Sequence, residues 1–270
     1  MIRDIVVVLD ETGRRAVPFA LALAKNLRAV ITAVSVAAEG PFNAAAYSEV
    51  RYDLAVAEQE SAIQAAQGTA ARFKLDAAAA QVPLDDALIC NPNGAGHDIL
   101  YAAVRRSDLT IIEQQEPGKP KPSDLYLEGL LLKTGRPILI VPYIGPSALR
   151  LDLVTVAWDG SVAAARALAD SLPLLCMANK VEVVSVSRTA DNSDGKAIIR
   201  HLLRHGIDAK YRAFRSEISV ADTLLSHVAD NGSGLLVMGA YGHSRLREAI
   251  LGGVSRSILE AMTVPVLMSH

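Results

Sequence analysis

The sequence is poor in cysteine and in aromatic residues, and its charges nearly balance. It contains 2 cysteines among 270 residues, and aromatic residues make up 4% of the chain. Cys90 and Cys176 lie far apart and lack the spacing of a metal site, so both are expected to be small buried apolar residues. The formal net charge of −2 gives no support for a nucleic-acid partner or for binding to an anionic membrane surface.

Long apolar segments are also missing. No apolar run approaches the roughly 20 residues that a membrane-spanning helix needs. The first residues, Met1 to Asp4, lead directly into a predicted strand, without the charged and apolar regions of a signal peptide. The sequence therefore predicts a cytoplasmic protein without membrane contact.

Apolar residues are abundant but occur in short runs. They make up 51% of the chain, and most are the aliphatic residues that buried parallel strands require. The runs alternate with helical patterns, which predicts α/β domains with doubly wound parallel sheets. In the first half the predicted strands are 5–9, 30–36, 77–82, 109–112 and 138–141. In the second half they are 154–157, 181–186, 207–214, 235–238 and 264–268.

The two halves repeat each other. Asp10 follows the first strand as Asp159 does in the second half, and Val-Ser-Val at 34–36 matches the same residues at 184–186. The first half is longer by roughly 24 residues, which fall in its long helical region at 45–75. We therefore expect two tandem five-stranded domains. The predicted domains are residues 1–143 and residues 151–270.

The stretch from residue 235 onward carries the clearest functional pattern. A strand, a glycine-containing loop, a helix and a second strand form a βαβ unit whose loop can hold a phosphate. Glycine leaves backbone N–H groups accessible, and the start of a helix favours an anion. Taken alone, the same spacing also fits a tight turn. The glycines are Gly239, Gly242, Gly252 and Gly253, and the cationic side chains nearby are His243, Arg245, Arg247 and Arg256.

The motif of Gly239, two residues, Gly242, nine residues and Gly252 resembles the nucleotide loop of the universal stress protein family. The flanking segments VMGAYGHSRLREAILGG and VPVLMSH are similar to the same family. One position departs from the pattern, because Gly253 stands where the family has serine or threonine. The resemblance implies Rossmann-like domains of the adenine nucleotide alpha-hydrolase type, with strand order 3-2-1-4-5. It also implies that the two fifth strands lie side by side, so that the chain forms an intrachain pseudo-dimer.

The resemblance also implies a site at the reversal of strand order in the second half. Asp159 would contact the nucleoside, although Asp-Gly-Ser is equally a turn signal. Ser255 could add a hydroxyl donor to the phosphates. The residues expected at base or ribose are Ala157, Asp159 and Val186, and those expected at the phosphates are Gly239, Gly242, Gly252, Gly253, Val254 and Ser255. The expected ligand is ATP, with Mg²⁺ as an accompanying ion, and AMP or ADP fit the same expectation.

The first half lacks a comparable phosphate-binding loop. Its matching segment, 113–123, contains three prolines, which remove N–H donors, and two glutamates, whose charge opposes a phosphate. Lys119 and Lys121 could attract an anion, but a solvated polar loop is the preferred interpretation. We therefore predict one nucleotide site per chain.

No catalytic constellation or metal-ligand cluster is recognisable from spacing. His227 is expected at the surface of a helix. The favoured hypothesis is a stress-response module that binds an adenine nucleotide, and association into a homodimer is compatible with it. Two alternatives stay open at this point: a slow ATP hydrolase using the same site, and a nucleotide-free interaction protein.

Overall fold

The computed structural model describes residues 1–11, 15–38, 49–91, 96–187, 195–215, 218–240 and 253–270. It divides into two compact units, residues 2–134 and residues 135–270 together with Met1. Both units consist of strands that alternate with helices, and the sheets are mostly parallel. The predicted α/β fold class is therefore confirmed.

The N-terminal unit has a four-stranded parallel sheet in the order β3-β2-β1-β4. Its strands are β1 (Asp4–Leu9), β2 (Val30–Val36), β3 (Leu84–Cys90) and β4 (Leu109–Glu113). Its helices are α1 (Ala16–Leu27), α2 (Glu49–Ala80), α3 (Gly96–Arg105) and α4 (Leu127–Lys133). Strands β1 and β4 are buried along nearly their whole length, which explains their mostly apolar sequences.

The C-terminal unit has the strand order β5-β10-β9-β6-β7-β8. Its strands are β5 (Ile138–Val141), β6 (Val154–Ala157), β7 (Val181–Ser187), β8 (Ala209–Arg215), β9 (Leu235–Gly239) and β10 (Val266–Ser269). Its helices are α5 (Val162–Leu175), α6 (Gly195–Arg204), α7 (Val220–Asp230) and α8 (Gly253–Ala261). All pairings are parallel except that of β5 with β10, in which Leu139 faces Leu267.

This order confirms two implications of the resemblance. In the second repeat the strands follow the order 3-2-1-4-5, and the fifth strands of the two repeats are neighbours. Since β5 pairs with β10, it belongs to the C-terminal compact unit although the first repeat encodes it. The predicted domain limits at 143 and 151 stay a prediction.

The predicted third strand at 77–82 is wrong. Helix α2 continues to Ala80. The next residue, Gln81, has a positive φ of 58° and reverses the chain, and β3 begins only at Leu84. The segment is rich in alanine, the residue with the highest helix propensity, and Ala77 is buried.

Two serines begin helices, as their positions in the sequence suggest. Ser161 Oγ accepts a hydrogen bond from Ala164 N at 3.1 Å at the start of α5. Ser219 Oγ accepts one from Asp222 N at 3.0 Å at the start of α7. These caps fix where both helices begin, which positions the residues described next.

Candidate functional site

The ends of β6 and β9 lie where the strand order of the C-terminal unit reverses. β6 pairs with β7 on one side and with β9 on the other, and the connections that follow β6 and β9 lead to α5 and α8. A crevice at the carboxyl ends of such strands is the usual ligand position in an open parallel sheet.

A cavity of about 250 Å³ lies at this place. Its lining comes from the ends of β6, β7 and β9 and from the first turns of α5, α7 and α8. The lining residues are Ala157, Trp158, Asp159, Ala164, Val184, Val186, Val220, Leu224, Met238, Gly239, Gly253, Val254 and Ser255.

Every predicted site residue that lies in the described part of the chain lines this cavity. These residues are Ala157, Asp159, Val186, Gly239, Gly253, Val254 and Ser255. Gly242 and Gly252 lie outside the described residues, as do the cationic candidates His243, Arg245 and Arg247. The assignment of these residues to a ligand stays a prediction.

Sequence reasoning missed the apolar wall of the cavity. The residues Val184, Val220, Leu224 and Met238 line it. In the sequence, the apolar spacing of Val220 and Leu224 indicates only that they face the core. Trp158, next to Asp159, was also missed as a lining residue. Its rarity was the available signal, because the chain has 1 tryptophan.

Asp159 takes part in the turn that its sequence context suggests. Its Oδ1 accepts a hydrogen bond from Ser161 N at 2.9 Å, and the residue is exposed at the cavity. Ser161 in turn caps α5. Asp159 therefore has the turn role, and it also lines the cavity, whereas its contact with a ligand stays a prediction.

The two described glycines of the motif differ in their surroundings. A Cβ on Gly239 would lie 2.5 Å from the backbone nitrogen of Ala164 and 2.6 Å from the carbonyl carbon of Ala163. Only glycine therefore lets β9 approach the start of α5 this closely. A Cβ on Gly253, in contrast, would meet no heavy atom within 4 Å.

A buried hydrogen bond links α7, the helix that carries Val220 and Leu224, to the sheet. His227 is 7% exposed, and its Nε2 lies 2.7 Å from Oε2 of Glu182 on β7. Arg212 on β8 donates from its Nε to the other oxygen of this carboxylate. The prediction of a surface position for His227 is wrong, because its partner lies on a distant strand that the pattern of α7 does not reveal.

The family comparison identifies residues 187–270 as matching the model described as "Universal stress protein family". The C-terminal part of the chain is therefore similar to the universal stress protein family. The curated universal stress protein Slr1230 of Synechocystis sp. is 26% identical over 147 residues, which are 52% of this chain and 49% of that protein. The chain thus spans about half the length of the curated relative it matches.

Solved structures extend the likeness to the fold of both halves. A universal stress protein from Archaeoglobus fulgidus DSM 4304 is 14% identical, with a TM-score of 0.69 over 98% of this chain and 97% of that chain. A universal stress protein solved in complex with cAMP is 24% identical, with a TM-score of 0.36 over 44% of this chain and 97% of that chain. The tandem two-domain form accords with the repeat in the sequence.

In the N-terminal half of the chain, the residue that matches Asp159 forms hydrogen bonds within its own unit. Asp10 is 4% exposed, and one of its oxygens accepts a hydrogen bond from Ser123 N at 2.9 Å. Its other oxygen accepts one from Ser123 Oγ. Burial raises the pKa of the Asp10 carboxyl above its ordinary value, and the bonds from Ser123 oppose this shift.

The segment around Ser123 is packed rather than solvated. Lys121 is 8% exposed, with its Nζ 3.2 Å from Glu113 Oε1 and donating to Gln114 O at 3.1 Å. The expectation of a solvated loop is therefore wrong for Lys121, whereas Lys119 is exposed and pairs with Glu116. The charge of Lys121 is compensated inside the protein, so it does not add to an anion site.

Two further features can be stated for the described ranges. No three His, Cys, Asp or Glu side chains within them are grouped as a metal ion would require. None of the helices in those ranges combines the length and the apolar character of a membrane span.

Proposed function

We propose that the chain is a tandem universal stress protein whose C-terminal unit binds an adenine nucleotide, with ATP as the ligand, and that occupancy changes stability or partner choice. The observation that carries the proposal is the convergence of predicted residues on one cavity. Residues from β6, β7, β9 and α8, chosen from the sequence, line a common cavity at the carboxyl edge of the sheet.

The lining suits the parts of a nucleotide in different ways. The apolar wall of Val184, Val186 and Met238 suits the faces of a base, and the Asp159 carboxylate can accept hydrogen bonds from ribose hydroxyls. The start of α8, with Ser255 in its first turn, offers N–H groups and the positive end of the helix dipole to phosphates.

The size of the cavity supports this division. Ligand pockets commonly measure roughly 300–1,000 Å³. At about 250 Å³ this cavity is smaller than that range, so we expect it to hold only part of the ligand, with the phosphates extending toward the start of α8.

Thermal unfolding with and without Mg-ATP tests the proposal. At a ligand concentration about 100 times Kd, binding stabilises the native state by roughly 2.7 kcal/mol, which corresponds to about 5–10 °C in Tm for a unit of this size. Asp159→Asn keeps an acceptor for Ser161 N and removes the charge, so we expect it to lose most of the shift. Asp208→Ala is the matched control, because Asp208 is exposed and does not line the cavity.

The released ligand gives a second measurement. Denaturing the purified protein and weighing the small molecules released would detect a bound adenine nucleotide. Absence of any shift with millimolar ATP, ADP and AMP, together with no adenine compound released, would contradict the proposal and favour a nucleotide-free interaction protein.

A further inference from the structure

Strand β8 forms an open edge of the C-terminal sheet. It pairs with β7 in a regular parallel register, from Val181 opposite Ala209 to Ser187 opposite Arg215. Within the described ranges no strand lies on its other side. Every second residue of an edge strand turns its main-chain N–H and C=O away from the sheet, so β8 offers an alternating row of hydrogen-bond donors and acceptors.

The surface around this edge is strongly basic. Arg212 of β8 is engaged by Glu182, and Asp208 is the single acidic residue in α6, β8 and the turn between them. Five further cationic side chains in this segment are exposed, and none of them forms an ion pair with a residue in the described part of the chain. These five residues are Lys196, Arg200, Arg204, Lys210 and Arg215.

Three of these cations form one stripe along α6. Lys196, Arg200 and Arg204 follow each other at a spacing of four residues, which places side chains on the same face of a helix. Like charges at this spacing destabilise a helix. Helix α6 packs against β8, where the ring of Tyr211 lies against Gly195 at the start of the helix. The stripe therefore adds uncompensated positive charge close to the open edge.

The matching edge strand of the first repeat is different. Within the described residues β3 also pairs on one side only, but it exposes Asp85 and Asp86, and its register with β2 shifts between Ile31 and Thr32. Irregular pairing and charge are both means by which proteins protect an edge strand from added chains. The pairing of β8 is regular. Its charges repel the β8 edge of another copy, and they attract an extended chain of opposite charge.

We propose that the β8 edge is a docking site for an acidic segment of a partner protein, which adds to the sheet as a further strand. The main chain of the segment pairs with the outer groups of β8, and its acidic side chains meet Lys210, Arg215 and the stripe on α6. A nucleic acid matches the charge but not the edge, because its backbone phosphates are acceptors only. The inference is independent of nucleotide binding, which concerns the cavity at the ends of β6 and β9.

Fluorescence polarisation with a labelled peptide tests the proposal on the full chain. The peptide alternates glutamate and valine over about seven residues, the length of β8, and both of its ends are blocked. We expect binding that weakens as the salt concentration rises, and no binding of the same peptide with lysine in place of glutamate. A version methylated on its main-chain nitrogens keeps the charge but lacks the donors, so we expect it to bind about 10-fold more weakly or less.

Charge reversal separates the edge from the rest of the surface. Lys210→Glu combined with Arg215→Glu should weaken peptide binding about 10-fold, with a Tm close to that of the wild type because both side chains are exposed. Arg72→Glu combined with Lys74→Glu is the matched control, because it makes the same change in charge at exposed positions of α2. The control should leave the Kd unchanged.

A second variant leaves the strand itself untouched. Arg200→Glu combined with Arg204→Glu alters only the stripe on α6 and should weaken binding about threefold. No binding by the wild type, equal affinities of the wild type and both edge variants, or equal binding of the methylated peptide would each overturn the proposal. Tighter binding of a single-stranded oligonucleotide of the same charge would assign the surface to nucleic acid. Self-association of the wild type that the Lys210 and Arg215 replacements abolish would assign it to a second copy, and either result removes an acidic partner segment as the occupant.

Discussion

Replacing Gly253 by serine tests whether the start of α8 faces the phosphates of a nucleotide. Gly253 is exposed, it is the first residue of α8, and a Cβ there would meet nothing within 4 Å. Its φ lies outside the left-handed region, so an L side chain is tolerated without strain. Gly253→Ser therefore restores the hydroxyl of the family pattern without disturbing the packing.

The size of the effect follows from the hydrogen bond that the hydroxyl would make. A hydrogen bond to a charged group contributes about 1.5–3 kcal/mol. Solvent access at Gly253 and the ordering of the serine rotamer reduce this, so we expect about 1 kcal/mol, which is roughly a fivefold lower Kd for ATP.

Gly253→Ala is the matched control. Both replacements reduce the freedom of the unfolded chain by a similar amount, so both should raise the Tm of the free protein slightly. Only the serine variant should lower the Kd in calorimetric titration. Equal affinities of the two variants for ATP would refute the placement of phosphates at this end of α8.

Two further replacements probe the packing on which the proposed site depends. Gly239→Ala places a methyl group against the backbone of Ala164, so we expect it to lower the free energy of unfolding by roughly 1–3 kcal/mol in urea titration, and an unchanged midpoint would contradict the packing argument. Asp10→Asn keeps bonding capacity toward Ser123 but cannot ionise. Because the pKa of Asp10 is raised in the folded state, its contribution to stability is present at low pH and is lost as pH rises through the folded pKa. The asparagine variant should therefore gain stability relative to the wild type as the pH rises above the ordinary carboxyl pKa, and a pH-independent difference would exclude this assignment.

Strand positions could be read from the sequence where apolar residues form continuous runs. β2, β5 and β6 have the predicted bounds, because aliphatic residues dominate strands that are covered on both faces. The predicted position of β3 is wrong because the strand is partly exposed and two exposed aspartates, Asp85 and Asp86, interrupt its apolar residues. The alanine run at the end of α2 offered a more continuous apolar segment.

The candidate site could be predicted where one motif supplied the residues, and not where distant segments meet. The glycines and Asp159 follow strands in a recognisable order. The burial of Asp10 beneath Ser123 and the pairing of Glu182 with His227 join residues that are far apart in sequence. Such contacts arise from tertiary packing and cannot be predicted from the residue periodicity of a single helix or strand.

The pairing of β5 with β10 bears on why a half without a phosphate loop is retained at all. β5 follows the segment that covers Asp10. It pairs with β10, so β10 has no unpaired edge. A fragment lacking β5 would present the main-chain groups of Val266 and Met268 to any other extended chain. Loss of ligand chemistry in the first repeat is thus tolerable, whereas loss of its last strand would expose the second repeat to misassembly.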